Sequence, residues 1–465
     1  MFKNFYNYSL SQPLIPLLVF GLIIAWGLSV TPFDWNYPFK GNSVSVDAIP
    51  DLGENQQIVY TDWSGQSPED VEDQITYPLS NYFLTLAGVK DVRGLSITGR
   101  STLYIIFEED VDFYWSRSRI IERINSLPKG TLPEGVQPSL GPDATGLGQI
   151  FWYYLEGVDE EGIEVGGWSL EEKRSLQDYY IKTALSSVSG VSEVASIGGF
   201  VKEFQVDIDP LVLQQYGLSI QQVFRRLEQA QAEGGLKTIE FNRNEYLIRG
   251  VAPVEDLEDL ARIPIRSINQ TPLYLGDIAI LQYGPSDRRG ALDVAGNEAV
   301  GGVIVAQYGA NPKEVIDNIH LKINELSTSL PSKTLDDGRK VQLKIIPFYD
   351  RSDVINETIG TLEHALWLQI LITIAIVLLI LRRLRIALLI SVMLPISVLL
   401  TFIAMKLASI DANVVALSGI AIAIGTVVDM GVILTDTILQ KLDKQQISSH
   451  SLKLKDFLKN RFQLV

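Results

Sequence analysis

Four apolar runs divide this chain, and one of them carries a carboxylate. Residues 14–30, 366–381, 386–405 and 414–434 are each close to the length that crosses a hydrocarbon core at about 1.5 Å per residue. In the last run only Ser418, Thr426 and Asp429 are neither apolar nor glycine. An Asp at the centre of a membrane helix costs upward of about 2.5 kcal/mol, so such a residue faces a protein interior or a wet path and marks function. The first run lacks a small-residue cleavage site and exceeds the usual signal-peptide core, which makes it an uncleaved helix.

Orientation follows from the basic residues. The sequence "LRRLR" brings Arg382, Arg383 and Arg385 into one tight connection, and short basic loops stay in the cytoplasm. Lys3 and the lysine-rich tail after Asp436 agree, so residues 34–360 and the loop "LASIDAN" lie outside. With 46% hydrophobic and 20% charged residues, the chain must hold both membranous and soluble material. The whole chain is at −16, residues 1–33 contribute +1 and residues 361–465 contribute +4, which leaves −21 on residues 34–360. That excludes a nucleic-acid footprint, and solubility is its plain explanation. Without cysteine there are no disulfides or thiolate metal sites. His320, His364 and His450 show no metal-ligand spacing and read as incidental.

The outer segment repeats an order of elements. "QIVYTDW" and "TLYIIFEE" alternate as strands, separated by a helix that opens at Ser67 and Pro68 with an acidic first turn and ends at Gly88. A second helix runs through "YWSRSRIIERINSLP", with Ile120, Ile121 and Ile124 on one face. The order returns in "QIFWYYLEG", "SLEEKRSLQDYYIKTALSSVSG", "EFQVDIDP" and "SIQQVFRRLEQAQAEGG", which predicts two βαβ units. A strand-rich part around "TPLYLGDIAILQYG" and a helix at "NPKEVIDNIHLKINELSTSLP" follow. No nucleophile elbow, Walker loop or H-E-x-x-H is present, and the pairs Gly198/Gly199 and Gly301/Gly302 lack nucleotide-loop spacing. Nothing here points to an enzyme or a bound cofactor.

"VDAIPDL", "GQSPEDVEDQITYPLS", "VRGLS", "YWSRSRIIERIN", "LGPDATGLG", "SLQDYYIK", "EVASIGG", "DPLVLQQYGLS", "RRG", "YDRSDVI" and "GIAIAIGTVVD" stand in one order over residues 40–436. In these stretches the chain resembles the heavy-metal efflux branch of the resistance-nodulation-division (RND) transporters, the CzcA/CusA-type pumps. The resemblance implies an α+β membrane protein, transmembrane α-helices carrying periplasmic βαβ, ferredoxin-like porter subdomains. Residues 1–33 would then be the cytoplasmic N-terminus and first membrane helix, and 34–135 the first porter subdomain. Residues 136–335 would form the second subdomain with an inserted docking segment, 336–360 the return to the membrane, 361–436 three further helices and 437–465 a cytoplasmic tail.

The same resemblance implies a secondary active transporter of the bacterial inner membrane, a proton antiporter exporting heavy-metal cations. Its partners would be a periplasmic adaptor and an outer-membrane channel, and the complete pump a homotrimer. Asp429 would be the proton relay, while Gly425 and Gly431 permit close helix packing and Asp436 is a solvated helix end. Copper and silver exporters of this branch carry Met where this chain has Val427 and Val415, so a divalent ion such as zinc, cobalt, nickel or cadmium is expected. The residues of the metal site are not assigned. The branch repeats this layout in a second half, so the chain reads as an N-terminal half that should not pump alone. An RND permease for other small molecules and a non-functional fragment are the competing readings.

Overall fold

The computed structural model describes residues 14–33, 43–47, 49, 53–231, 234–241, 244–250, 254–268, 270–286, 290–381 and 384–462. Its first sheet is built from strands Gln56–Asp62, Val89–Ile97, Arg100–Phe107 and Pro138–Leu140. Across the sheet they run Val89–Ile97, Arg100–Phe107, Gln56–Asp62, Pro138–Leu140, every neighbour antiparallel. A helical run over 68–84 connects the first two strands, and helix Phe113–Asn125 connects the last two. Ser67 starts the first of these by accepting a hydrogen bond from the Asp70 N–H, and the chain reverses at Gly88 with φ +80°. Both helices lay their apolar stripe on one sheet face, where Ile75, Leu79, Phe83 and Ile120 meet Val59, Leu103, Ile105 and Phe107.

Ile121 does not join that core. The stripe of Phe113–Asn125 runs through Phe113, Ser116 and Ile120, with Ile124 half-buried, and the next position along turns Ile121 outward to 45% exposure.

The second sheet has the same plan. Its four long strands stand in the order Val191–Gly198, Asn297–Ala306, Gln149–Val158, Lys340–Asp350, again antiparallel, and the short strands Leu292–Val294 and Ser332–Thr334 pair with Asn297–Ala306 and Lys340–Asp350. A helical run over 170–186 and helix Pro312–Ser327 cover one face, burying Ile181, Leu185, Ile316 and Ile319 against Phe151, Leu155 and Ile304. Ser169 forms a full capping box with Glu172. Each sheet's first helix contains one π turn, Glu72–Thr76 and Gln177–Ile181, which no sequence signal announced.

"EFQVDIDP" is not the second strand of this sheet, as its alternation predicts. That place belongs to Val191–Gly198, while Lys202–Ile208 pairs with Ala279–Pro285 to close an inserted segment. The chain leaves the sheet at Gly198 and Gly199, both in the left-handed region at φ +76° and +64°. A Cβ on Gly198 would lie 2.2 Å from the Ala299 carbonyl oxygen, and one on Gly302 would lie 2.5 Å from the Tyr153 hydroxyl. These glycines serve close packing of strands. The insertion has its own small core of Leu213, Val223, Leu260, Leu275 and Ile278.

Four helices, Leu14–Val30, Arg351–Leu381, Leu384–Leu407 and Val414–Phe462, make the remaining body. Among the described residues two stretches are long and apolar enough to cross a membrane, Arg351–Ile376 and Val414–Ile438, and two shorter apolar ones are Leu17–Val30 and Val392–Leu407. Phe402, Leu394, Ile355, Leu417 and Ile424 form the shared core. Gly27 lets the first helix close on the third, because a Cβ there would lie 2.7 Å from the Leu399 Cβ. Strand Lys340–Asp350 passes into helix Arg351–Leu381 without a loop. The basic connection at Arg382 and Arg383 lies outside the described residues, as do Lys3 and the side chain of Arg385.

Candidate functional site

Asp429 lies fifteen residues into helix Val414–Phe462, about 22 Å along its axis. The buried side of this helix is Leu417, Ile420, Ile424 and Gly431, with Val427 and Val428 packed beside them. At 3.6 residues per turn Ser418, Gly425, Asp429 and Asp436 fall on the opposite side, and all four are exposed. No hydrogen bond or ion pair joins Asp429 to any other described residue. The carboxylate therefore points away from the other three helices. It is the one titratable group between Val414 and Leu434.

The two glycines beside it differ. Gly431 is buried, whereas a Cβ on Gly425 would meet nothing within 4 Å, so within this chain Gly425 holds no helix close. Asp436 is exposed and accepts a hydrogen bond from Gln440 at 2.8 Å, but it is not a helix end, because the helix continues to Phe462. On the buried side a groove of about 320 Å³ separates Val414–Phe462 from Leu384–Leu407, lined by Ser397, Thr401, Met405, Ala423 and Val427. Met405 is the single thioether on it. Val415 and Met430 are exposed. Among the described residues no three His, Asp or Glu side chains converge as a metal centre.

His320 serves packing: its Nε2 lies 2.6 Å from Asp350 Oδ2, and its ring meets Phe151 edge-on. His364 is exposed, and the side chain of His450 lies outside the described residues. Beside Asp350 is Arg351, 2% exposed, with Nε 2.8 Å from Asp47 Oδ1 and Nη1 donating to the Leu147 carbonyl at 2.6 Å. The Nε contact is ionic, since its angle is not that of a hydrogen bond.

Leu147 belongs to "GPDATGLG", which runs from one sheet to the other. Arg117 of "YWSRSR" holds its start by donating to the Gly141 and Pro142 carbonyls at 2.6 and 3.1 Å. Burial pushes the Arg117 guanidinium below its ordinary value, with Asp143 acting against the shift. Asp143 in turn accepts from the Ser192 hydroxyl, and its carbonyl accepts from the Tyr308 N–H at 2.8 Å. Four of the stretches singled out in the sequence thus meet along one line.

The two like sheets and the helix body have counterparts in known proteins. The profile of the AcrB/AcrD/AcrF family matches residues 5–460. The chain belongs to this family. It is 40% identical over 402 residues to the cation efflux system protein CusA of Escherichia coli, covering 86% of this chain and 37% of that one. To the cobalt-zinc-cadmium resistance protein CzcA of Cupriavidus metallidurans it is 30% identical over 450 residues, 96% of this chain and 40% of that one. The crystal structure of a heavy metal efflux pump superimposes with a TM-score of 0.78 at 28% identity, over 94% of this chain and 41% of the other. The chain thus spans about two-fifths of the length of these relatives. It has the RND transporter fold, and its likeness to heavy-metal efflux proteins extends through both sheets, the insertion and the helices.

Proposed function

We propose that this chain supplies the N-terminal part of a proton-driven RND pump that exports heavy-metal cations from a bacterial inner membrane. The observation that carries this reading is Asp429, the one carboxylate between Val414 and Leu434 of a helix long and apolar enough to cross a membrane, on the side turned away from its own bundle. An exposed charge in hydrocarbon is untenable, so that side meets protein or water in the assembled pump, and a carboxyl there can take up and release a proton. In this reading all four helices span, and the two sheets are ferredoxin-like porter subdomains on the periplasmic side. The pairing of Pro138–Leu140 with the first sheet and of Lys340–Asp350 with the second supports counting both strands with the subdomains. Residues 202–285 form the docking insertion. An adaptor, an outer-membrane channel and trimeric assembly come with the family layout.

The cation we infer is divalent. Identity to CusA exceeds identity to CzcA, but overall identity measures the shared scaffold, whereas the ion is selected by a few donors. Here Val427 and Val415 offer none, and Met405 stands alone on the groove.

The test is substitution of Asp429 in the pump assembled with the remaining family length, by fusion or co-expression. Asp429→Asn keeps the shape and hydrogen bonding of a protonated Asp but releases no proton. It should insert and trimerise normally and lose export driven by a pH gradient, with Asp429→Ala behaving alike. A purely structural Asp gives the reverse order, Asn silent and Ala depleted from the membrane.

A further inference from the structure

Two of the singled-out stretches take no part in the proton reading, "VDAIPDL" and "YDRSDVI", and they meet through Asp47 and Arg351. We propose that this pair is the joint through which displacement of the Asp429 helix reaches the second sheet, with Arg351 a positioning residue for export. The proposal rests on the reading of Asp429 given above.

One side of the joint is tied to the membrane helices by backbone. Ser45 accepts a hydrogen bond from the Ala412 N–H at 2.8 Å, and Val46 pairs with Ala412 in a parallel bridge. The next residue, Asn413, caps the Asp429 helix by accepting from the Ala416 N–H at 2.9 Å. From the end of the preceding helix, Lys406 Nζ donates to the Ser43 carbonyl at 2.8 Å. Val44 and Val46 are buried, so residues 43–46 cannot slide over the surface. A shift of the Asp429 helix therefore carries this strap with it.

The other side belongs to the sheet. Arg351 is the first residue of the helix that continues strand Lys340–Asp350, and Asp350 is itself held to helix Pro312–Ser327 by His320. Through Leu147, Arg351 also grips the crossing between the two sheets. Asp47, itself part-exposed, joins strap to sheet through its ion pair with the buried Arg351. An exposed pair gives way to solvent during a movement, whereas the Arg351 guanidinium, buried as it is, is shielded from it. An ionic contact also tolerates a change of angle that a straight hydrogen bond would not.

The experiment uses the assembled pump in proteoliposomes at matched protein, with export of zinc, cobalt, nickel and cadmium under a pH gradient and binding of the same ions read separately. Asp47→Asn and Arg351→Gln are each expected to lower export at least about tenfold, since each breaks the ion pair made to a buried guanidinium. They are also expected to reduce the protein reaching the membrane. The double variant should regain the protein and its metal binding without regaining export. Arg351→Lys, which keeps the charge but cannot hold Asp47 and Leu147 with the same fork, should export clearly better than Gln. A double variant that exports at the parental rate, or a Lys variant as impaired as Gln, overturns the joint. Asp429→Asn, run alongside, separates the two readings. If it alone stops export, the joint falls and the relay stands; if it is silent while the pair variants stop export, the relay falls and the joint serves another drive.

Discussion

Phe83 on the helix covering the first sheet and Phe151 in the second sheet are wholly buried, while Ile422 on the Asp429 helix is 79% exposed and Leu379 on helix Arg351–Leu381 is 77% exposed. The outer units close their own cores, and their helices begin on capping side chains at Ser67, Asp112 and Ser169. The four helices pack on one side only and turn apolar side chains and a carboxylate outward. Apolar side chains facing outward suit lipid, but Asp429 does not. The comparison teaches that the two sheet units close their own cores, whereas the helices leave one side uncovered within this chain, and that Asp429 sits on that side.

Separating the two regions gives the largest effect. Residues 34–360 expressed without the helices should be soluble and give a mixed α/β circular dichroism spectrum, carried by two closed cores and a charge of −21. A spectrum dominated by disorder would dissolve the comparison. Within the first unit, Ile120→Ala should cost about 2–4 kcal/mol and Ile121→Ala no more than about 0.5, because one fills the core and the other faces solvent. Urea unfolding of the outer segment measures both, and equal losses would mean the helix is rotated from its described position.

The smallest effect lies at the second unit's capping box. Lys333, foremost, and the Ser169 backbone hydrogen bond hold the Glu172 carboxyl below its ordinary 4.5. A lowered folded value means stability that is present above 4.5 and is lost as pH falls through the folded value. Lys333→Ala should therefore cost under about 1 kcal/mol at neutral pH, as an exposed pair does, and should make the unfolding midpoint fall less steeply below pH 4.5. An unchanged acid limb would remove Lys333 from this account.

Legibility from sequence followed the range of each interaction. Ser67, Ser169 and the apolar runs act within a few residues, and each helix they announce is present. Val191–Gly198 escaped notice because its polar residues, Ser192, Glu193 and Ser196, interrupt the alternation, while "EFQVDIDP" alternates well and pairs elsewhere. The Asp47–Arg351 pair could not be seen at all, since nothing local in either stretch sets which distant charge it meets. Gly27 against Leu399 is hidden for the same reason. The stripe of Ser418, Gly425, Asp429 and Asp436 was readable: counting 3.6 residues per turn places all four opposite Leu417, Ile420 and Ile424.

Proton movement is the most direct measure of what Asp429 does. A pH-sensitive dye inside proteoliposomes holding the assembled pump reports proton flow when a divalent cation is supplied on the side from which it is exported. The parental pump should show proton counterflow that rises with cation export, and the Asp429→Asn pump, present in equal amount, should show none. Counterflow at the parental rate in the Asn variant would contradict the proton relay.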